Sequence, residues 1–173
     1  VTAPRLGFRS TAASAKAAQG AFVARLGKSN PAAAKTLAVQ LAKHDTTLIM
    51  RTLLSGSGLQ PDDLGDVFTA YTLFSWQIAN RDATDIGNAT VAALRNQLTA
   101  RLSADPRLLQ PAMRTALGEE MKLLSVTIHA GWQSATREGR TKAYSDSIAA
   151  MFKARSGTDL RALRLTSAGF RPR

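Results

Sequence analysis

The chain has 173 residues, 45 % of them hydrophobic and 20 % charged, with no cysteine and a formal net charge of +11. That length lets one domain bury about two-thirds of the surface its unfolded chain exposes, so stability requires neither a disulfide nor a metal. Lack of cysteine excludes disulfides and thiolate chemistry, and no apolar run approaches the roughly eighteen residues needed to cross a bilayer.

Leu and Ala dominate, β-branched residues are sparse, and nowhere do they alternate over a strand's length, which predicts an all-α protein. The charge is uneven. Residues 1–43 hold seven Lys or Arg and no acid, residues 44–139 hold eight bases and ten acids, and residues 140–173 hold eight bases and two acids. The two ends thus carry +7 and +6 around a middle of −2. Folded onto one side, they would make a field attractive to anionic polymers, lipid headgroups or an acidic partner.

In chain order, residues 11–27 form a first helix with Ala15, Ala18, Phe22 and Leu26 on one face; its residues are so small that it depends on docking. Asn30 as N-cap and Pro31 at the first helical position start a second helix, and Asp45 caps a third that "SGSG" at 55–58 closes. "QPDDLGD" opens a helix over about 61–80 whose acids Asp62, Asp63 and Asp66 favour the positive end of its dipole. That helix is apolar on nearly every side, so it is expected at the centre, with a groove beside Trp76 as the sharper alternative. A helix over 89–104 aligns Val91, Leu94, Leu98 and Leu102. The longest element, 111–138, carries Met113, Leu117, Met121, Leu124 and Ile128 in a stripe, and 141–155 packs through Tyr144, Ile148, Met151 and Phe152. The expected fold is a single all-α bundle of six or seven helices over residues 1–173, built around 61–80 and 111–138. Residues 1–10 and 157–173 are expected to be loose or peripheral.

"DDLGD" has the DDxxD spelling of all-helical prenyl-transfer enzymes, but those need a longer chain and a second acidic motif, so capping accounts for it. Neither His44 nor His129 has a ligand partner at helical spacing, so no metal and no cofactor is expected. No nucleophile elbow or phosphate-cradling loop is spelled out. The basic ends lack interleaved aromatics, which argues against sequence-specific nucleic-acid reading. In "GEEMK" (118–122), Glu119 falls on the polar side of the long helix and Glu120 inside its apolar stripe. A carboxylate there needs a partner such as Arg95, Arg114 or an indole of Trp76 or Trp132, or else serves as a raised-pKa acid or base.

"GLQPDDLGDVFTAYTLFSWQIAN" (58–80), "ALRNQL" (93–98) and "MRTALGEEM" (113–121) together resemble a group of uncharacterised exported bacterial all-helical proteins, a domain of unknown function behind a signal peptide. The resemblance rests on Gly58, Leu59, Asp63, Leu64, Ala70, Tyr71, Trp76, Asn80, Arg95, Gln97, Leu98, Arg114 and Glu120. It implies a periplasmic or secreted address, with which a start at Val1 instead of Met agrees, and it supplies no activity.

Three functions follow as expectations. The first is a non-enzymatic envelope protein binding a protein partner or an anionic surface through its basic ends. The second is a small-anion enzyme or receptor with Trp76, Asn80, Arg95, Gln97, Arg114 and Glu120 around one pocket and Glu120 as candidate catalytic residue. The third is a structural subunit that offers its Trp76 face to another chain.

Overall fold

Residues 2–173, which the computed structural model describes, form seven α-helices and a terminal hairpin. These are α1 (Ala12–Ser29), α2 (Pro31–Ala42), α3 (Thr46–Leu53), α4 (Leu64–Asn80), α5 (Asn88–Leu102), α6 (Pro111–Arg137) and α7 (Thr141–Ser156), followed by strands β1 (Leu163–Thr166) and β2 (Gly169–Pro172). The all-α bundle expected from composition is the observed fold, with the small antiparallel hairpin as its one addition.

α4 is the central element. Asp63 caps it by accepting the Asp66 N–H, and α5, α6 and α7 pack around it. Leu64, Val67, Ala70, Tyr71, Leu73, Trp76 and Ile78, which point in all directions around the helix, are all buried. A helix that is apolar on nearly every side needs cover on every side, and α4 has it. The middle of α6 is equally enclosed: Gly118, Glu119 and Met121 through Ser125 are buried. Gly118 lies against the ring of Phe8, where a Cβ would fall 2.3 Å from a ring carbon, so only glycine lets the N-terminal segment approach α6 so closely.

α1 opens with a reciprocal cap between Thr11 and Ser14 and contributes no buried residue. It lies on α6, and α2 packs back onto α1. Its alanine-rich surface provides close approach more than apolar burial, as expected of a helix that depends on docking.

Of the expectation that both ends are loose or peripheral, looseness is corrected by long-range polar bonds. Val1 lies outside the described residues. From Ala3 to Phe8 the chain runs as an extended strap along the entry to α4. Leu6 N–H donates to Asp63 Oδ2 (2.8 Å), Leu64 N–H to the Leu6 carbonyl (2.9 Å) and Phe8 N–H to the Asp62 carbonyl (2.9 Å). Arg95, buried on α5, donates to Asp66 Oδ1 through Nε (2.5 Å) and to the carbonyls of Ala3 and Pro4 through its other nitrogens (3.1 and 3.2 Å). Asp66 also receives Arg5 Nη1 (2.8 Å) and the Gln60 N–H (2.9 Å).

At the other end, β1 pairs with β2 in the register Leu163↔Pro172, Arg164↔Arg171, Leu165↔Phe170 and Thr166↔Gly169. The two-residue turn closes on Gly169, whose φ of +93° suits a residue without a Cβ. Four-residue strands are too short to declare themselves by alternation, which is why the tail reads as loose in sequence.

Arg95 and Arg5 both pair with Asp66 and should differ sharply in worth. Arg95→Ala would leave Asp63 and Asp66 buried without their main cation and is expected to cost about 3–5 kcal/mol. Arg5, with its side chain 65 % exposed, should cost less than about 1 kcal/mol when replaced by Ala. Urea unfolding followed by far-UV circular dichroism measures both; equal losses would show that the strap network has been misread.

Candidate functional site

Of the six residues expected to share a pocket, five are divided among three separate networks and Arg114 belongs to none of them. Trp76, Asn80 and Gln97 hold the hairpin. Trp76 Nε1 donates to the Leu163 carbonyl (3.0 Å) and its ring packs on Phe170, with centroids 5.9 Å apart. Gln97 brackets Phe170, donating to its carbonyl (2.9 Å) and accepting its N–H (2.8 Å). Asn80 donates to the carbonyls of Trp76 and Leu160 and accepts from Arg173. The face beside Trp76 is therefore covered by the chain's own C-terminal segment, which fits the expectation of a central, covered helix and goes against the alternative of a groove there.

Arg95 belongs to the strap, where it binds Asp66 and two carbonyls of the N-terminal segment. Glu120 belongs elsewhere: its Oε1 accepts from Arg25 Nη2 (2.9 Å) and Arg155 Nη2 (2.8 Å), with its side chain 21 % exposed. Arg114 is half-buried in the first turns of α6, and its Nε has no hydrogen-bond partner. Arg95 and Glu120 share no partner, so the single anion pocket around them is not what the fold builds.

The two neighbouring glutamates exchange the roles their positions suggest. Glu119, expected on a polar face, is 2 % exposed, whereas Glu120 sits at the edge of the helix. The cause is that α6 has lateral cover. The strap, α1 and α3 close over the flank that a one-stripe reading assigns to solvent.

On that flank Lys122, with no exposed surface, pairs with Glu119 at 3.0 Å. The ammonium also donates to Ser10 Oγ (3.0 Å) and Thr47 Oγ1 (2.9 Å) and lies 5.3 Å from the centroid of Phe8. Glu119 accepts from the hydroxyls of Ser10 and Ser14. All three ammonium protons thus have acceptors, so the charge is tolerable in the interior. Sequence carried one sign of this pair, the Glu119 and Lys122 spacing of three; the hydroxyls that complete it come from residues far away in the chain.

Beside this network opens a cleft of about 1380 Å³, bounded by the strap, the start of α1, the junction of α2 with α3 and the entry to α4. Ser10 and Thr47 lie at its floor, and Arg5, Arg9, Lys16, His44 and Arg51 line its walls together with Asp45, Asp62 and Asp63. A second groove of about 700 Å³ separates α1 from the start of α6, walled by alanines and Met113 with the Arg25–Glu120 pair on its lining. Among the described residues, no cluster of His, Asp or Glu has the makings of a metal site.

Lys122→Met should cost about 3–5 kcal/mol by stranding Glu119, and Lys122→Met with Glu119→Gln together should recover most of that loss. Chemical denaturation of both variants decides it, and a double variant no better than the single one would refute the pairing. Phe170→Ala should expose Trp76, giving a red-shifted emission and new tryptic cleavage at Arg164 while helical circular dichroism is kept; unchanged emission would mean that the hairpin does not cover Trp76. No known protein family, characterised relative or solved structure matches the chain.

Proposed function

We propose that the protein is a non-enzymatic bacterial envelope protein, periplasmic or secreted, that binds an anionic surface or partner through its two basic ends. The observation that carries this reading is that ends remote in sequence meet in the fold. Glu120 holds Arg25 of the N-terminal end and Arg155 of the C-terminal end on one oxygen. α5 joins the ends again, because Asn96 accepts the Ala3 N–H while its neighbour Gln97 brackets Phe170.

Many of the bases in these ends lack an acidic partner. Among the described residues, Arg9, Lys16, Lys28, Lys35 and Lys43 at one end, and Lys153, Arg164 and Arg171 at the other, take part in no ion pair. Arg164 and Arg171 stand directly opposite each other across the hairpin. Like charges in that position weaken a sheet, and an arriving anion would relieve them. The non-enzymatic character is supported by the way Glu119, Lys122 and Ser10 satisfy one another. The envelope address rests on the resemblance of residues 58–121 to exported proteins. Among the described residues, no helix is long and apolar enough to cross a membrane.

Retention on a sulfated polysaccharide column should fall steeply as salt rises, because exposed charges are screened beyond about 8 Å at physiological ionic strength. Neutralising Lys28, Lys35 and Lys43, or Arg164 and Arg171, should each shift elution to lower salt. Elution that ignores both salt and these substitutions would overturn the proposal.

A further inference from the structure

We infer that the cleft between the strap, α1 and α3 is a binding site for a ligand carrying two or more phosphate groups. The inference rests on the anion-binding reading above and narrows it to one place and one chemistry. Arg9 just after the strap, Lys16 on α1 and Arg51 on α3 reach this cleft from three segments of the chain. Among the described residues none of the three has an ion-pair partner.

The acids that share the cleft do not cancel them. Asp63 is turned inward to the Leu6 and Asp66 N–H groups, and Asp45 is engaged in capping α3. Asp45 and Asp62 are the two acids exposed on the wall, fewer than the three unpaired bases they face. The walls add neutral donors: the hydroxyl of Thr47, which accepts from Lys122 and keeps its own proton free, and the N–H of Ala12 in the first turn of α1, which has no helical carbonyl to bond. That first turn contains no acid.

The donor set selects the ligand. Guanidinium forks and hydroxyls are matched to phosphate oxygens. Bases on three separate segments, around a volume of about 1380 Å³, offer a diphosphate or triphosphate several points of attachment at once, which a single phosphate group cannot use to the same extent. Among the described residues two aromatic rings line the cleft: Phe8, already engaged with Gly118 and Lys122, and His44, which is exposed. The cationic donors engage the phosphate chain, whatever group that chain carries.

The test is isothermal titration with inorganic pyrophosphate and tripolyphosphate at physiological salt, with sulfate as the single-group control. The wild-type chain should bind tripolyphosphate more tightly than pyrophosphate, and sulfate weakest. Arg9→Ala and Arg51→Ala, both at exposed positions and checked for folding by circular dichroism, should each weaken tripolyphosphate by about tenfold or more. Arg164→Ala with Arg171→Ala, outside the cleft, should change it less than about twofold. If the hairpin pair abolishes binding and the cleft variants do not, the cleft assignment is overturned and the general anion-binding reading stands. Binding of sulfated polymer or anionic vesicles without any binding of tripolyphosphate overturns the cleft assignment in the same way. If neither phosphates nor polymers bind, both readings fall.

Discussion

The fold depends on a carboxylate taken out of water at the start of its central helix. Asp66 is fully buried, a position that is tolerable only if cations and N–H groups replace its hydration. Arg95 comes from α5, Arg5 and the strap from the N-terminus, and the Gln60 N–H from the turn before α4. Because Arg95 then has nitrogens left over, it binds the carbonyls of Ala3 and Pro4, and the strap is fixed. One buried charge thus recruits three segments that apolar packing alone would leave free to slide.

The strap so placed makes possible the second buried pair. Phe8 and Ser10 follow directly, the first seated on Gly118 and the second between Lys122 and Glu119. Lys122 extends the linkage to Thr47 on α3 and Glu119 to Ser14 on α1. α1, which buries no residue of its own, and α3, which buries Met50, are therefore both held in part through hydroxyls and charges. This is a costly way to build, because each buried ion needs every partner present. It fixes register in return: α1, α3 and the strap each have one position in which all the polar groups are satisfied.

The helices were legible in sequence because their boundaries are local. Asn30 before Pro31, Asp45, and Asp63 before an apolar run cap the helices they mark, and apolar spacing identified α4 and α6 as central. What was not legible is whatever depends on partners distant in the chain. Arg95 finds Asp66 across 29 residues and Ala3 across 92, and no spacing rule reaches so far. The choice between Glu119 and Glu120 failed because a single apolar stripe describes a helix covered on one side, whereas α6 is covered on several. The residues singled out by resemblance were structurally telling in a way the sequence did not reveal: Arg95 ties down the first strand of chain, and Trp76, Asn80 and Gln97 tie down the last. The candidate cleft was not legible at all, since its bases come singly from three segments of the chain.

The acids also explain why the net charge is expressed where it is. Asp66 and Glu119 are buried against cations, Asp63 and Asp45 cap helices, and Glu120 and Asp146 each hold two cations. Asp146 is pulled down to a pKa of about 2, chiefly by its hydrogen bonds to Lys142 and Arg161. Nearly every acid is thus matched to a base or a cap that stabilises the fold, and the bases left over are those for which the fold has no use. Arg9, Lys16, Lys28, Lys35, Lys43, Arg164, Arg171 and Arg173 lie on or beside the strap, α1, α2 and the hairpin, and the others, Arg51, Arg81, Arg101, Arg114, Arg137 and Lys153, are spread over the remaining helices and their ends. The buried acids Asp66 and Glu119 are what join the strap and α1 to the core made by α4 to α7.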